Sequence, residues 1–181
     1  MADLCAASPF GDLAATSGDP ACVVLTCLPP RDMLRLRLHD PNDGAGLDLP
    51  AAPNTVGGER PWRLWLGPRE WLFVDPDGLG DTAARLAAAL AGRTHSLTPA
   101  AAASFTLAGP QAGAVLARGC PLDLHQLTPG TCARSTLAQV GVLLHRHADA
   151  SIELHVDVSV ARHAASWLQA VVTDMPGLIR P

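Results

Sequence analysis

The segment GCPLDLH at residues 119–125 brings Cys120, Asp123 and His125 close together in the chain. These are the residue types of a thiol nucleophile with a neighbouring base. Their position argues against that chemistry. Cys120 directly follows the C-terminus of a predicted helix, where the helix dipole disfavours a thiolate. Pro121 then blocks continuation, so the segment reads as a helix stop followed by a packed turn. His145, His147 and His155 form a second grouping on two predicted strands. His145 and His147 share a strand face, and a partner from the next strand would complete a zinc site. The competing reading is a solvent-facing polar edge, with Arg146 between the two histidines. Cys22 and Cys27 are five apart on a strand and face opposite sides, which is not zinc-finger spacing. Asp75 and Asp77 flank Pro76 as turn residues do. GPQAG at 109–113 lacks the dinucleotide fingerprint, and the absence of lysine excludes a P-loop phosphate site and Schiff-base chemistry. The sequence therefore assigns no catalytic, cofactor-binding or metal-binding residue.

The elements that would position these groups follow from hydrophobic pattern and turn chemistry. Residues 1–20 read as an irregular N-terminal arm, and 21–181 as a single domain. ACVVLTCL (21–28) is a short strand ended by Pro29 and Pro30. MLRLRLH (33–39) alternates strictly, with Leu34, Leu36 and Leu38 on one side and Arg35, Arg37 and His39 on the other, as a half-buried strand does. Residues 40–60 are dense in turn formers and read as a long loop without regular structure. PWRLWLG (61–67) and EWLFVD (70–75) form a hairpin. Helices are predicted over 81–92, with Asp81 near the N-cap and Gly92 past the end, and over 110–119. A strand at 103–109 lies between them. Two long strands follow at 134–147 and 150–158, joined near Ala148-Asp149, and Ser159 is placed as cap of a last helix over 160–172. Hairpins interleaved with helices call for an α+β domain, a mainly antiparallel sheet covered by helices. A ββα unit recurs loosely near 62–91 and 134–172. Trp62 and Trp65, three apart on one strand, point to opposite faces, so one of them is either an exposed interface anchor or partly buried under a loop.

Composition narrows the function classes. A chain of 181 residues buries roughly 70% of its unfolded surface and needs no disulfide or metal to fold. Thirteen arginines against seventeen acids, without a basic run, make a nucleic-acid partner a poor expectation. No apolar run approaches the ~20 residues of a membrane span. Five cysteines (Cys5, Cys22, Cys27, Cys120, Cys132) and an N-terminus without a basic or apolar signal region are expected to be free thiols in a reducing cytoplasm.

Several segments carry a family resemblance. RLWLGPREWLFV (63–74), LAGPQAGAVLARGCPLDLH (107–125) and PGTCARSTLAQVGVLLHR (129–146) resemble, in that order, the sarcosine oxidase gamma subunits. LPPRDMLRLRLH (28–39) and the Trp167-Leu168 helix extend the resemblance over most of 28–172. It implies a fold related to the folate-binding aminomethyltransferase domains. It also implies a place in a heterotetramer that oxidatively demethylates sarcosine, or a related N-methyl amine, to glycine. FAD, FMN, NAD and tetrahydrofolate would be bound by other subunits and none by this chain. Its partners would be large alpha and beta flavoprotein subunits and a small delta subunit. The sequence departs from the family at SLTPAAAAS (96–104), where an acidic, serine-rich segment is usual, and at Val158-Ser159, where an Arg-Ser pair is usual. Trp62 and Trp65, followed by the stretch with Gly119, Cys120, Asp123, His125 and Arg134, are the candidate subunit interface. The alternative is a stand-alone folate-binding or folate-dependent one-carbon transfer protein on the same fold, which would need a pocket with a carboxylate for the pterin.

Overall fold

The structure is a computed structural model that describes residues 10, 16–148 and 150–175. Cys5 and Asp149 lie outside the described residues, as do 1–9 and 11–15 of the expected arm. Among the described residues, eleven strands form two sheets in which every pairing is antiparallel. The larger sheet has the order β1 (Thr16–Asp19), β2 (Val23–Cys27), β8 (Ala102–Ala108), β11 (Ser151–Asp157), β10 (Val140–Ala148) and β9 (Thr131–Leu137). The smaller has the order β4 (Val56–Gly57), β5 (Trp62–Gly67), β6 (Glu70–Val74), β3 (Met33–Leu38) and β7 (His95–Pro99). Helices α1 (Thr82–Ala89), α2 (Ala112–Ala117) and α3 (Ala161–Asp174) complete the fold. The α+β class with antiparallel sheets under helices is the one the sequence implies, but there are two sheets rather than one.

Three apolar cores bind four layers together. On one outer face α2 and α3 cover the six-stranded sheet, with Ala164, Leu168 and Val172 packed on Leu25, Phe105, Leu144 and Leu154. On the other, Leu86 and Leu90 lie against Leu34, Leu36, Leu38, Trp71 and Phe73 of the five-stranded sheet. Between the sheets, Met33, Leu64, Leu66, Leu72 and Val74 meet Cys132 and Leu143. The alternation of period two decides which residues go where. In β3 the leucines turn toward α1, so Met33, Arg35 and Arg37 turn toward the six-stranded sheet. The sheets are joined along one edge by backbone bonds, from Val56 N–H to Gly130 O at 3.3 Å and from Cys132 N–H to Asn54 O at 2.9 Å.

Several sequence expectations are corrected. Thr16–Asp19 is a strand rather than irregular arm. The 40–60 segment holds a 3-10 turn at Pro41–Gly44 and the short strand β4. The stretch 134–147 is not one strand but parts of β9 and β10, which turn at Ala138 and Gln139 with φ of +48° and +70°. Such a turn favours Asn-Gly, and nothing in Ala-Gln announces it. Strand β7 was missed because its alanine- and proline-containing surroundings have little strand character. Ser159 does not cap the last helix with its own oxygen. Instead its N–H and hydroxyl donate to Asp157 at 2.9 and 2.6 Å, opening a 3-10 turn that leads into α3.

Candidate functional site

The inner face of β11 carries Glu153, His155 and Asp157, because Ile152, Leu154 and Val156 are committed to the helix-covered core. The neighbouring strands present His145 and His147 (β10) and Ser104 (β8) on the same face, in register with Glu153 and His155. The five-stranded sheet closes over most of this surface. His145, Ser104, Glu153 and His155 are 2–4% exposed. The histidines are therefore not a solvent-facing polar edge. The sequence places His145 and His147 correctly on one face, but that face is an interior one.

A network satisfies most of these groups. Arg31, in the β2–β3 connection, donates to Glu153 Oε1, and His147 Nε2 lies 2.9 Å from Glu153 Oε2. Ser104 Oγ lies 2.9 Å from His155 Nδ1. When the hydroxyl donates there, the ring proton sits on His155 Nε2, facing Glu153 Oε1 at 3.6 Å, too far for a hydrogen bond. Trp62 seals the end of the network. Its ring meets the His147 and His145 rings edge-on at 4.5 and 5.3 Å, and the Arg60 guanidinium lies 5.5 Å over it. Burial, with the charge of His147 and His155 adding to it, pushes His145 down to about 3. Burial likewise pushes His155 down to about 4, against the raising effect of Glu153. Burial alone would raise the Glu153 carboxyl. The His147 hydrogen bond and the nearby charge of His155 and Arg31 outweigh it and bring it down to about 2.

Ser104, His155 and Glu153 have the residue types of a hydrolytic triad, but the geometry is that of a structural network. Ser104 is buried under the second sheet, its bond is to Nδ1, and the His–Glu separation is long. Among the described residues, no group of three or more His, Cys, Asp or Glu is arranged to hold a metal ion. No disulfide joins the described cysteines Cys22, Cys27, Cys120 and Cys132 to one another, and burial raises the Cys132 thiol to about 11.

The remaining sequence candidates do not share one surface. Trp62 faces the inter-sheet network. Trp65 points the opposite way and is half-buried beside Trp71, whose Nε1 donates to Pro50 O at 2.8 Å. Trp65 thus packs against the 41–53 loop and lines a cleft of about 570 Å³. Gly119 is glycine because Trp167 passes so close that a Cβ would meet its ring at 2.6 Å. Cys120 is buried in the helix-covered core with its Sγ 3.4 Å from Ser135 Oγ. Gly119 is thus half-buried and Cys120 buried, each held by packing within the chain. Asp123 accepts from the Gln126 side chain and the His125 N–H at 2.9 and 3.1 Å, which order an exposed turn and lower its carboxyl. His125 is exposed beside it. Arg134 is exposed on β9, with one long contact to Leu66 O at 3.4 Å. Sequence reasoning missed Arg31, Ser104 and Glu153. The alternation of 151–157 marks Glu153 and His155 as sharing a face, but the approach of Arg31 is long-range.

No family model matches the chain. It is 36% identical over 135 residues to sarcosine oxidase subunit gamma of Arthrobacter sp, and 35% identical over 132 residues to the protein of that name from Corynebacterium sp. (strain P-1). These alignments cover 71% and 70% of this chain. A chain of heterotetrameric sarcosine oxidase from Corynebacterium sp. U-96 superposes with a TM-score of 0.80 at 26% identity, over 88% of both chains. The chain belongs to the sarcosine oxidase gamma subunit family. It spans 66% and 64% of the length of the two curated gamma relatives it matches. Glycine cleavage system aminomethyltransferase T from Bartonella henselae superposes with a TM-score of 0.56 at 19% identity, over 76% of this gamma-family chain and 42% of that one. At that identity the likeness is one of fold, and it agrees with the fold relation expected from the sequence.

Proposed function

We propose that this chain is a non-catalytic structural subunit of a heterotetrameric, sarcosine-oxidase-type complex that oxidatively demethylates sarcosine, or a related N-methyl amine, to glycine. The observation that carries the reading is the likeness over 88% of both chains to a chain of such a heterotetramer, together with the gamma-subunit relatives. The site geometry supports it, since Cys120, Cys132 and Ser104 are buried and packed, out of reach of a substrate. In this reading FAD, FMN, NAD and tetrahydrofolate reside on other subunits. The partners are large alpha and beta flavoprotein subunits and a small delta subunit, assembled in the cytoplasm. No described helix is long and apolar enough to cross a membrane. Trp65 is the leading contact residue, with Asp123, His125 and Arg134 as further candidates and Trp62 reserved to the fold.

Co-production with the large subunits tests this reading. The chain is expected to co-elute with them stoichiometrically, and alone to be colourless. A flavin spectrum that stays with the isolated chain would overturn the assignment. Within the complex, Trp65→Ala is expected to weaken assembly by about 2 kcal/mol or more.

A further inference from the structure

The space between the sheets ends in two ways. At one end lies the closed Glu153 network. At the other the sheets part, and a cleft of about 320 Å³ opens between them, lined by Arg35 and Thr98 of the five-stranded sheet and by Arg134, His155 and Asp157 of the six-stranded one. The two arginines reach it from opposite sheets. Arg134 meets no carboxylate among the described residues, only the long contact to Leu66 O. Arg35 approaches Glu70 through Nε alone, at 3.5 Å, while the other Glu70 oxygen is taken by Arg37 at 3.2 Å. The Asp157 carboxylate is engaged by Ser159 through both its N–H and its hydroxyl. Two guanidiniums and one carboxylate line this cleft, which leaves one positive charge unmatched there in a chain whose net charge is -4.

We infer that this cleft is a binding site for a small monocarboxylate, held between the guanidiniums of Arg35 and Arg134. A guanidinium presents paired N–H donors in a plane that matches a carboxylate, and two of them from facing walls clamp one anion. The volume lies at the small end of ligand pockets, which suits a compact acid rather than a nucleotide. Asp157, fixed by Ser159, keeps a negative charge at the rim and disfavours a second carboxylate on the ligand.

The test uses the full-length, ¹⁵N-labelled chain titrated with sodium acetate, with sodium chloride at equal ionic strength as reference. The expected result is saturable shifts of the Arg35 and Arg134 Nε–H signals and of the Thr98 amide, beyond those caused by chloride. Arg134→Met is expected to weaken acetate at least tenfold, Arg134→Lys to recover part of the loss, and Arg118→Met, away from the cleft, to change nothing. Each variant is first matched to the parent by thermal unfolding. Acetate shifts no larger than those of chloride overturn the proposal. It also fails if the parent chain ignores acetate while Arg134→Met abolishes co-elution with the large subunits, because the arginines are then a contact for a partner's side chain.

Discussion

The two ends of the inter-sheet space hold the same kinds of charged groups and treat them in opposite ways. At the closed end Arg31 and Glu153 are nearly removed from water and His147 is half-buried, all of them paired and hydrogen-bonded. At the open end Arg35 and Arg134 are exposed and weakly partnered. A buried charge that loses its partner costs several kcal/mol, whereas an exposed one costs almost nothing. The comparison teaches that the closed end is tied to stability and cannot vary cheaply, while the open end is free to serve recognition.

The hardest blow to the closed end is Glu153→Gln, which leaves the Arg31 guanidinium buried without its counter-charge. It is expected to cost about 3–5 kcal/mol in urea unfolding. Adding Arg31→Met should recover much of that, since an apolar replacement of the whole pair is tolerated. A loss below about 1 kcal/mol for the single variant would dissolve the contrast between the ends.

Trp62→Ala removes the half-buried ring that seals the network and is expected to cost about 2–3 kcal/mol, somewhat less than a fully buried aromatic. If it unfolds no earlier than the parent but fails to assemble, Trp62 belongs with Trp65 among the contact residues.

Acid probes the closed end without mutation. His145 and His155 titrate at about 3 and 4 in the fold against 6.5 for the free side chain. Between those values the unfolded chain binds protons that the folded chain refuses, so stability falls as pH drops below 6.5. Glu153, at about 2 against 4.5, adds a loss of the same sign once pH falls below 4.5. Lowering pH from 7.5 to 5 is expected to reduce the melting temperature by roughly 5 °C or more, given about 2–4 °C per kcal/mol for a chain of this size. His155→Gln should flatten that dependence. A melting temperature that is level over this range would contradict the neutral, buried histidines.

The smallest effect is expected at the open end. Arg134→Met should change stability by no more than about 0.5 kcal/mol, as surface substitutions do. A larger loss in calorimetry would show that the open end also supports the fold.

Much of the fold was legible because its signals are local. The alternation in 33–39, the Gly67-Pro68-Arg69 turn between tryptophan-bearing strands and Gly92 with φ +78° after α1 each speak for themselves. What failed to show was long-range or hidden by ordinary residues. Alternating polar residues mark a face that is not the main core, but the pattern cannot say whether water or a second sheet covers it. His145 and His155 were therefore open to a solvent-facing reading although a second sheet buries them. Arg31 lies 122 positions from Glu153, with nothing nearby in the chain to announce the pair. Gly119 and Cys120 looked like part of a site because a helix stop and a reactive loop use similar residues. The passage of Trp167 over Gly119 belongs to the packing of α3.

The Ala138-Gln139 turn has a kinetic consequence. Two residues with a side chain sit at positive φ where glycine or asparagine would be at ease. The turn is held from outside, by the Ala138 N–H to Gly119 O bond at 3.1 Å and by the His163 ring 3.0 Å from Ala138 O. Both outside partners come from the α2 and α3 regions, distant in sequence. The β9–β10 hairpin is therefore expected to be a poor nucleus, with little of its turn formed in the transition state for folding.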